Sequence, residues 1–316
     1  MNTKIHTILF GIVAIVALAL TACQPKVVTQ EVVVTKEVQV EKKVEVTKVV
    51  EVAPEKQSTM DRIKEEGVVV VGVANEFPYG YIDTENDNQL KGVSPDIVRD
   101  ALKVIFGEDV VMEPVVTEFG ALIPGLNAGR FDIVTAGMYI TPKRCEAVAF
   151  GNPDYTIVDG LIVAEGNPYD LHSYADIAAN PEVRASTGNG YAEHDKMLNA
   201  GVSEDQITLF PDDVSGAAGV QAGQVDVYTG TAPTVNGILA DLGPGSGIEI
   251  ASNFVDTAPN FGGAVFRKED ADFVDAYNTA LEQLKADGTL AGIHAEYPGF
   301  GDFTLPGDAV LSDICP

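Results

Sequence analysis

Apolar positions fall along this chain in three regimes. From Ile8 to Leu20, thirteen apolar or small residues run without a charge. From Gln24 to about Lys56, valines alternate with Glu, Lys and Thr in QPKVVTQEVVVTKEVQVEKKVEVTKVVEVAPEK. Beyond residue 58, short apolar runs alternate with amphipathic ones. Val68 to Val73 is apolar at every position, the pattern of a strand buried on both faces. VSPDIVRDALKVIFG then predicts a helix, with Ser94 as N-cap, Pro95 in the first turn, Ile97, Val98, Ala101, Leu102 and Ile105 facing inward, and Gly107 as terminator. A strand over Val110 to Val116, a helix over Phe119 to Ala128 and a strand in FDIVTAG follow. Thr141 caps a further helix that starts at Pro142. The alternation continues through DGLIVAEG, SYADIAAN, ITLF, GAAGVQAG, VDVYTG and APTVNGILADLG to the long helix of KEDADFVDAYNTALEQLKADG. Strands alternating with helices predict parallel sheets covered on both faces, an α/β class. Ligands in that class bind beyond the carboxyl ends of strands. The stretches after strands are therefore the suspects: NEFPYGY, TEFGALIPG, GMYITPKR, STGNGYAE and YTGTAPTV.

The first apolar run is shorter than the roughly 20 residues that span a bilayer. With Lys4 ahead of it, it has the length of a secretory core segment. Leu20-Thr21-Ala22-Cys23 resembles the bacterial lipobox, which implies cleavage before Cys23 and a diacylglycerol on its thiol. An ordinary signal peptide with a chance cysteine is the alternative. Residues 1–22 are expected to be a lipoprotein signal peptide, and 23–57 a low-complexity tether. The tether holds six Lys and six Glu between 24 and 56, and a lone valine ribbon is marginal as a folded unit. A short self-associating segment is its other reading. Both place the protein outside the cytoplasm, anchored by lipid to the outer face of the cytoplasmic membrane or in the periplasm.

Charge and composition narrow the chemistry. With 47 Asp plus Glu against 20 Lys plus Arg, the net charge is -27, which argues against nucleic acid, whose phosphates demand a basic face. The four histidines, His6, His172, His194 and His294, are far apart and lack metal-ligand spacing. TGNGYAE and GPGSG complete no phosphate-binding motif, no G-x-S-x-G elbow occurs, and Cys145 has no nearby histidine. No metal or other cofactor is implied.

Two long stretches carry a family resemblance: LNAGRFDIVTAGMYITPKRCEAVAFGNPDY and FGGAVFRKEDADFVDAYNTALEQLKADGTLAGI. They resemble the family 3 extracellular solute-binding proteins of ABC importers, with the pattern G-x-x-D-x-x-x-x-G-[MIL]-x-x-T-x-x-R and, later, G-G-x-x-x-[RK]-x-x-D. The resemblance covers about residues 59 to 300. ANEFPYGY, TEFGALIPGLNAGRFD, AGMYITPKRC and YTGTAPTV are most similar to the ectoine/hydroxyectoine-binding subgroup. The resemblance implies a two-lobed periplasmic-binding-protein fold of type II, with two hinge strands and the ligand in the cleft. Lobe 1 is expected at 58–157 plus 260–316, and lobe 2 at 158–259. The implied partners are a small zwitterionic solute and the permease subunits of an ABC transporter. The protein is expected to be a monomer and not an enzyme.

The resemblance also assigns roles. Arg144 clamps the solute's carboxylate, a task that suits a planar guanidinium; a surface pair with Glu146 is the alternative. Tyr79, Phe119 and Tyr139 form an aromatic cage around a delocalised cation, worth roughly 2 kcal/mol for a good desolvated face. Glu76 accepts from the cation, while Phe77 and Tyr81 pack. From the other lobe, Asn189, Glu193 and Thr231 complete the contacts, with amides near Gly188 to Gly190 serving the carboxylate. Relatives that bind standard amino acids place an Asp where this chain has Gly230 and Thr231. That departure disfavours a primary ammonium, whose buried charge would lack a partner. Once Cys23 is lipidated, Cys145 and Cys315 remain, and outside the cell an even pair suggests a disulfide, free thiols being the alternative. Three other readings stay open: a polar amino-acid or opine binder of the same family, a cyclohexadienyl dehydratase using Glu76 or Glu193 as acid, and a sensor ectodomain. The last is disfavoured because no membrane span follows Pro316.

Overall fold

Val68–Val73 forms the second strand of a five-stranded sheet ordered Val111–Val116, Val68–Val73, Ile133–Val134, Val265–Phe266, Ala149–Phe150. This is a computed structural model, and it describes residues 57–107, 110–256 and 258–315. The first apolar run, Cys23 and the tether as far as Lys56 lie outside the described residues. Side chains alternate across the sheet. Val69, Val71 and Val73 enter a core with Ile97, Val98, Ala101 and Phe273, whereas Val70 faces Leu122, Leu126 and Phe131. Each fully buried aliphatic side chain contributes about 1.5–3 kcal/mol, so a strand apolar at every position suits this central place.

The helix Val93–Phe106 stops before Gly107, as its pattern predicts, but its N-cap is Gly92. Ser94 lies inside the first turn, where its hydroxyl accepts the N–H of Gly137 at 3.1 Å. The helix expected over Phe119 to Ala128 is a single 3₁₀ turn, Phe119–Ala121, followed by Leu122–Asn127.

The second sheet is ordered Ile207–Phe210, Ala185–Gly188, Val227–Thr231, Asp159–Ala164, Ile248–Ile250. Leu161 and Val163 pack with Tyr174, Met197 and Val227 on one face. Ile162 packs with Val220, Tyr228 and Val235 on the other. Neither sheet is wholly parallel. Asp159–Ala164 runs antiparallel to Val227–Thr231, and Val265–Phe266 antiparallel to Ile133–Val134. The reason is topological. Each antiparallel strand enters its sheet directly from a ribbon, Tyr155–Ile157 paired with Asn260–Gly262, on which the chain crosses between the lobes twice. The lobes and ribbon form one compact unit, Ser58–Pro316.

Cys145 and Cys315 are joined, with Cα atoms 5.9 Å apart and a separation of 170 residues. Closing so long a loop stabilises by roughly 5 kcal/mol on chain-entropy grounds. Leu311 and Ile314 pack with Cys315 onto the core that holds Leu126 and Val148. His294 is buried between the Thr304 hydroxyl at 2.8 Å and the Asp154 carbonyl at 3.1 Å. Burial lowers its pKa to about 4, so it is a neutral core group. Among the described residues no helix is long and apolar enough to cross a membrane, and no cluster of His, Cys, Asp or Glu suits a metal ion.

Candidate functional site between the lobes

The strand ends of both sheets converge on one cavity. Glu76 and Tyr79 follow Val68–Val73, Phe119 follows Val111–Val116, and Gly137 and Tyr139 follow Ile133–Val134. From the other sheet, Tyr191 and Glu193 follow Ala185–Gly188, Asp213 follows Ile207–Phe210, and Thr231 ends Val227–Thr231. The cavity is narrow, with a volume of about 30 Å³. Gly137 shapes one wall. Its φ of +63° is left-handed, and a Cβ there would lie 2.2 Å from the Tyr79 ring, so only glycine lets that ring lie flat on the turn.

Arg144 sits in the helix Pro142–Cys145, whose N-cap Thr141 accepts the Arg144 N–H at 3.3 Å. Its guanidinium donates to the carbonyls of Tyr139 at 2.7 Å and Gly190 at 2.9 Å, one from each lobe. Its carbon lies 5.4 Å from the centre of the Phe119 ring. The surface pair with Glu146 does not form: Arg144 lines the cavity, and the acid that acts on it most is Glu193. Burial lowers the Arg144 pKa, but guanidinium stays charged. Two of its five donors are spent on carbonyls, which leaves donors for an anion.

The rings differ from a simple cage. Tyr79, Phe119 and Tyr139 are buried and line the cavity. One face of Tyr139, however, meets the ammonium of Lys196 at 5.0 Å. Lys196 is held by Asp159 at 2.6 Å, and Asp159 also accepts from the hydroxyls of Tyr174 and Tyr139 at 2.7 and 3.3 Å. The Tyr79 hydroxyl lies towards Thr231 but meets hydrogen-bond geometry with no described group. Oε1 of Glu193, a residue only 2% exposed, is likewise unpartnered. Such buried polar atoms cost about 1–3 kcal/mol each, and both stand on the wall of this cavity. Phe77 is 40% exposed and stacks edge-on against Tyr81.

Acids dominate the second wall. Burial, then the charge of Asp159, raises the Glu193 pKa to about 8. Burial raises Asp213 to about 6, although the hydroxyls of Tyr191 at 2.7 Å and Tyr228 at 2.9 Å donate to it. Burial and the facing Asp213 push Glu76 well above the usual carboxylate range. The Tyr191 hydroxyl also meets Glu76 across the cleft. Lys143 with Asp195 at 2.9 Å and Thr234 with the Phe77 carbonyl at 3.3 Å complete the contacts that hold the lobes together.

The structure thus brings Glu76, Tyr79, Phe119, Tyr139, Arg144, Glu193 and Thr231 onto one cavity. Asn189 is exposed at the rim against Gly120, and its N–H is committed to the Phe210 carbonyl at 2.8 Å. That amide is therefore not available to a ligand. Thr231 spends its hydroxyl as the N-cap of Ala232–Leu242. The argument against a primary ammonium is also corrected. A Cβ on Gly230 would lie 2.7 Å from Oδ1 of Asp213. The space left by glycine is filled by an acid at the start of the neighbouring helix, so the counter-charge is present but comes from the segment after Ile207–Phe210. Tyr191, Asp213 and Thr234 were missed. The signal for Asp213 was its place just after the strand ITLF, in FPDDVSG.

Residues 69–301 match the family described as bacterial extracellular solute-binding proteins, family 3. A probable amino-acid ABC transporter periplasmic-binding protein from Sinorhizobium fredii is 34% identical over 235 residues, 72% of this chain and 75% of the relative. The crystal structure of EhuB in complex with hydroxyectoine is similar with a TM-score of 0.75 and 32% identity, over 82% of this chain and 98% of that one. AncCDT-1, an ancestral amino acid-binding protein described as a precursor of cyclohexadienyl dehydratase, is similar at 0.65 and 27%, over 76% and 99%. The fold is the two-lobed type II binding-protein fold, with the ligand site between the lobes. The chain belongs to family 3 of the bacterial extracellular solute-binding proteins, the solute-capturing components of ABC transporters.

Proposed function

We propose that this protein captures a small zwitterionic compatible solute, ectoine or hydroxyectoine, and delivers it to the permease subunits of its importer. The observation that carries this reading is the arrangement of charge. Arg144 stands in the cavity beside Phe119, held by carbonyls rather than by a carboxylate. At neutral pH, Glu193 with its pKa of about 8 holds its proton and Asp213 with about 6 is mostly ionised. One fixed positive and one negative charge on opposite walls suit a zwitterion with a soft cation. The Tyr79 ring and its unpartnered hydroxyl offer that solute both a π-face and a donor. The likeness to EhuB supports the same solute class. The protein works without a cofactor, as a monomer, and does no chemistry on its ligand; an assay with prephenate and arogenate is expected to show no turnover. LTAC at Leu20 to Cys23 supports a lipid anchor, which Cys23→Ser would abolish, releasing the protein from membranes.

The competing reading, a polar amino acid, is favoured by Asp213, which offers an ammonium a buried counter-charge. Titration calorimetry with ectoine, hydroxyectoine, proline, glycine betaine and glutamine separates the two. Ectoine or hydroxyectoine is expected to bind most tightly. Saturable heat with glutamine and none with either ectoine overturns the proposal.

A further inference from the structure

Glu76 and Asp213 meet at one hydroxyl from opposite lobes. The Tyr191 oxygen stands between Glu76 Oε1 and Asp213 Oδ2, and a phenol has one hydrogen to give. Both carboxyl groups are accounted for only when one of them carries a proton, so that the carboxyl donates to the tyrosine and the tyrosine to the carboxylate. The remaining Asp213 oxygen accepts from Tyr228 at 2.9 Å, so the extra proton belongs on the Glu76 side. The surroundings add acid and no nearby base. Asp212 acts as a like charge on Glu76 and on Asp213. Neither cation of the cleft pairs with these carboxyl groups: Lys196 is held by Asp159, and Arg144 donates to two carbonyls. Asp213 opens the helix Asp213–Gln221, whose N-terminal dipole favours its charged form.

We propose that Glu76, Asp213 and Tyr191 form the subsite for the ligand's N–H-bearing cation, and that in an empty cleft a proton must take the cation's place before the lobes can close. When the lobes are apart, both acids face water and are ionised at neutral pH. Closing without ligand brings two carboxylates onto one hydroxyl, so the closed empty form takes up a proton from solvent. Closing around a cation takes up none. The sign follows from linkage. The closed form binds the additional proton, so empty closure is favoured by acid and becomes up to tenfold less favourable per pH unit above the ordinary carboxylate range. The subsite thereby withholds the closed shape from an unloaded protein. This rests on the zwitterion reading for the identity of the cation, but not for the proton.

The test reads inter-lobe distance in the ligand-free protein, by paired spin labels at the exposed positions Val104→Cys and Leu242→Cys. The closed population is expected to rise at least tenfold from about pH 8 to about pH 5. Asp213→Asn, and independently Glu76→Gln, is expected to close without ligand at about pH 8 and to show a weaker pH dependence than the wild type. Calorimetry on the same Asp213→Asn protein should show ectoine binding at least tenfold weaker, although the lobes close more readily. A residue with a merely structural role would not move the two readouts in opposite directions. A distance distribution indifferent to pH and to both substitutions overturns the proposal. If closure responds as stated but the wild type does not bind ectoine, the subsite stands and the solute reading fails.

Discussion

The cleft wall of the first lobe carries the guanidinium of Arg144 and the rings of Tyr79, Phe119 and Tyr139, whereas the opposite wall carries Glu193, Asp213 and the hydroxyl of Tyr191. The first wall is fixed before any ligand arrives. Arg144 is tied within its own lobe by the Tyr139 carbonyl and a capped turn, its helix is joined to the C-terminal segment by the Cys145–Cys315 bond, and Tyr79 lies flat on Gly137. The second wall is electrostatically unfinished. Its acids are buried with too few cations, and their pKa values are raised as a result. Under the proposed function, the grip on the anion is largely preorganised, while that on the cation is completed on closure.

Substitutions on the two walls break or sharpen that contrast. The largest effect on the first wall is expected from Arg144→Ala, which removes the anion grip and should weaken solute binding at least tenfold, equivalent to about 1.4 kcal/mol. Titration calorimetry reads it, and an unchanged affinity would reassign Arg144 to a purely structural bridge. Tyr79→Phe keeps the ring and deletes the unpartnered hydroxyl. A neutral hydrogen bond is worth about 1 kcal/mol, so affinity is expected to fall about fivefold, with melting temperature unchanged or higher. If that hydroxyl does not reach the solute, affinity will hold. The smallest effect is expected at Asn189→Ala. Its backbone amide is already bound to Phe210 and its side chain lies at the rim, so binding should change less than about twofold. A tenfold loss there would restore Asn189 to the site.

The first wall was also the more legible in sequence. Val68–Val73 is apolar at every position because it is sandwiched, and the Thr-Pro capping signal of Pro142–Cys145 depends only on neighbours along the chain. Tyr79, Phe119 and Tyr139 come in the loops after strands and Arg144 in the short helix beyond one, so locating the strands narrowed the choice and the family resemblance singled them out. Asp213 was illegible for a spatial reason. The Asp pair in FPDDVSG looks like an ordinary helix cap, and Asp212 does serve as one. Only the fold shows that the next residue reaches into the space above Gly230. The antiparallel strands were missed because alternation along the chain does not report which strand has just crossed a hinge. Asn189 was overvalued because a glycine-rich turn offers free amides in isolation, whereas here the strand Ile207–Phe210 takes the Asn189 amide.

A crystal structure of the protein with ectoine tests the account most directly. It is expected to show the solute carboxylate about 2.8 Å from the Arg144 guanidinium and its ring N–H groups directed at Glu76 and Asp213. A solute bound the other way round, with its carboxylate towards the second wall and Arg144 still donating only to Tyr139 and Gly190, would contradict it.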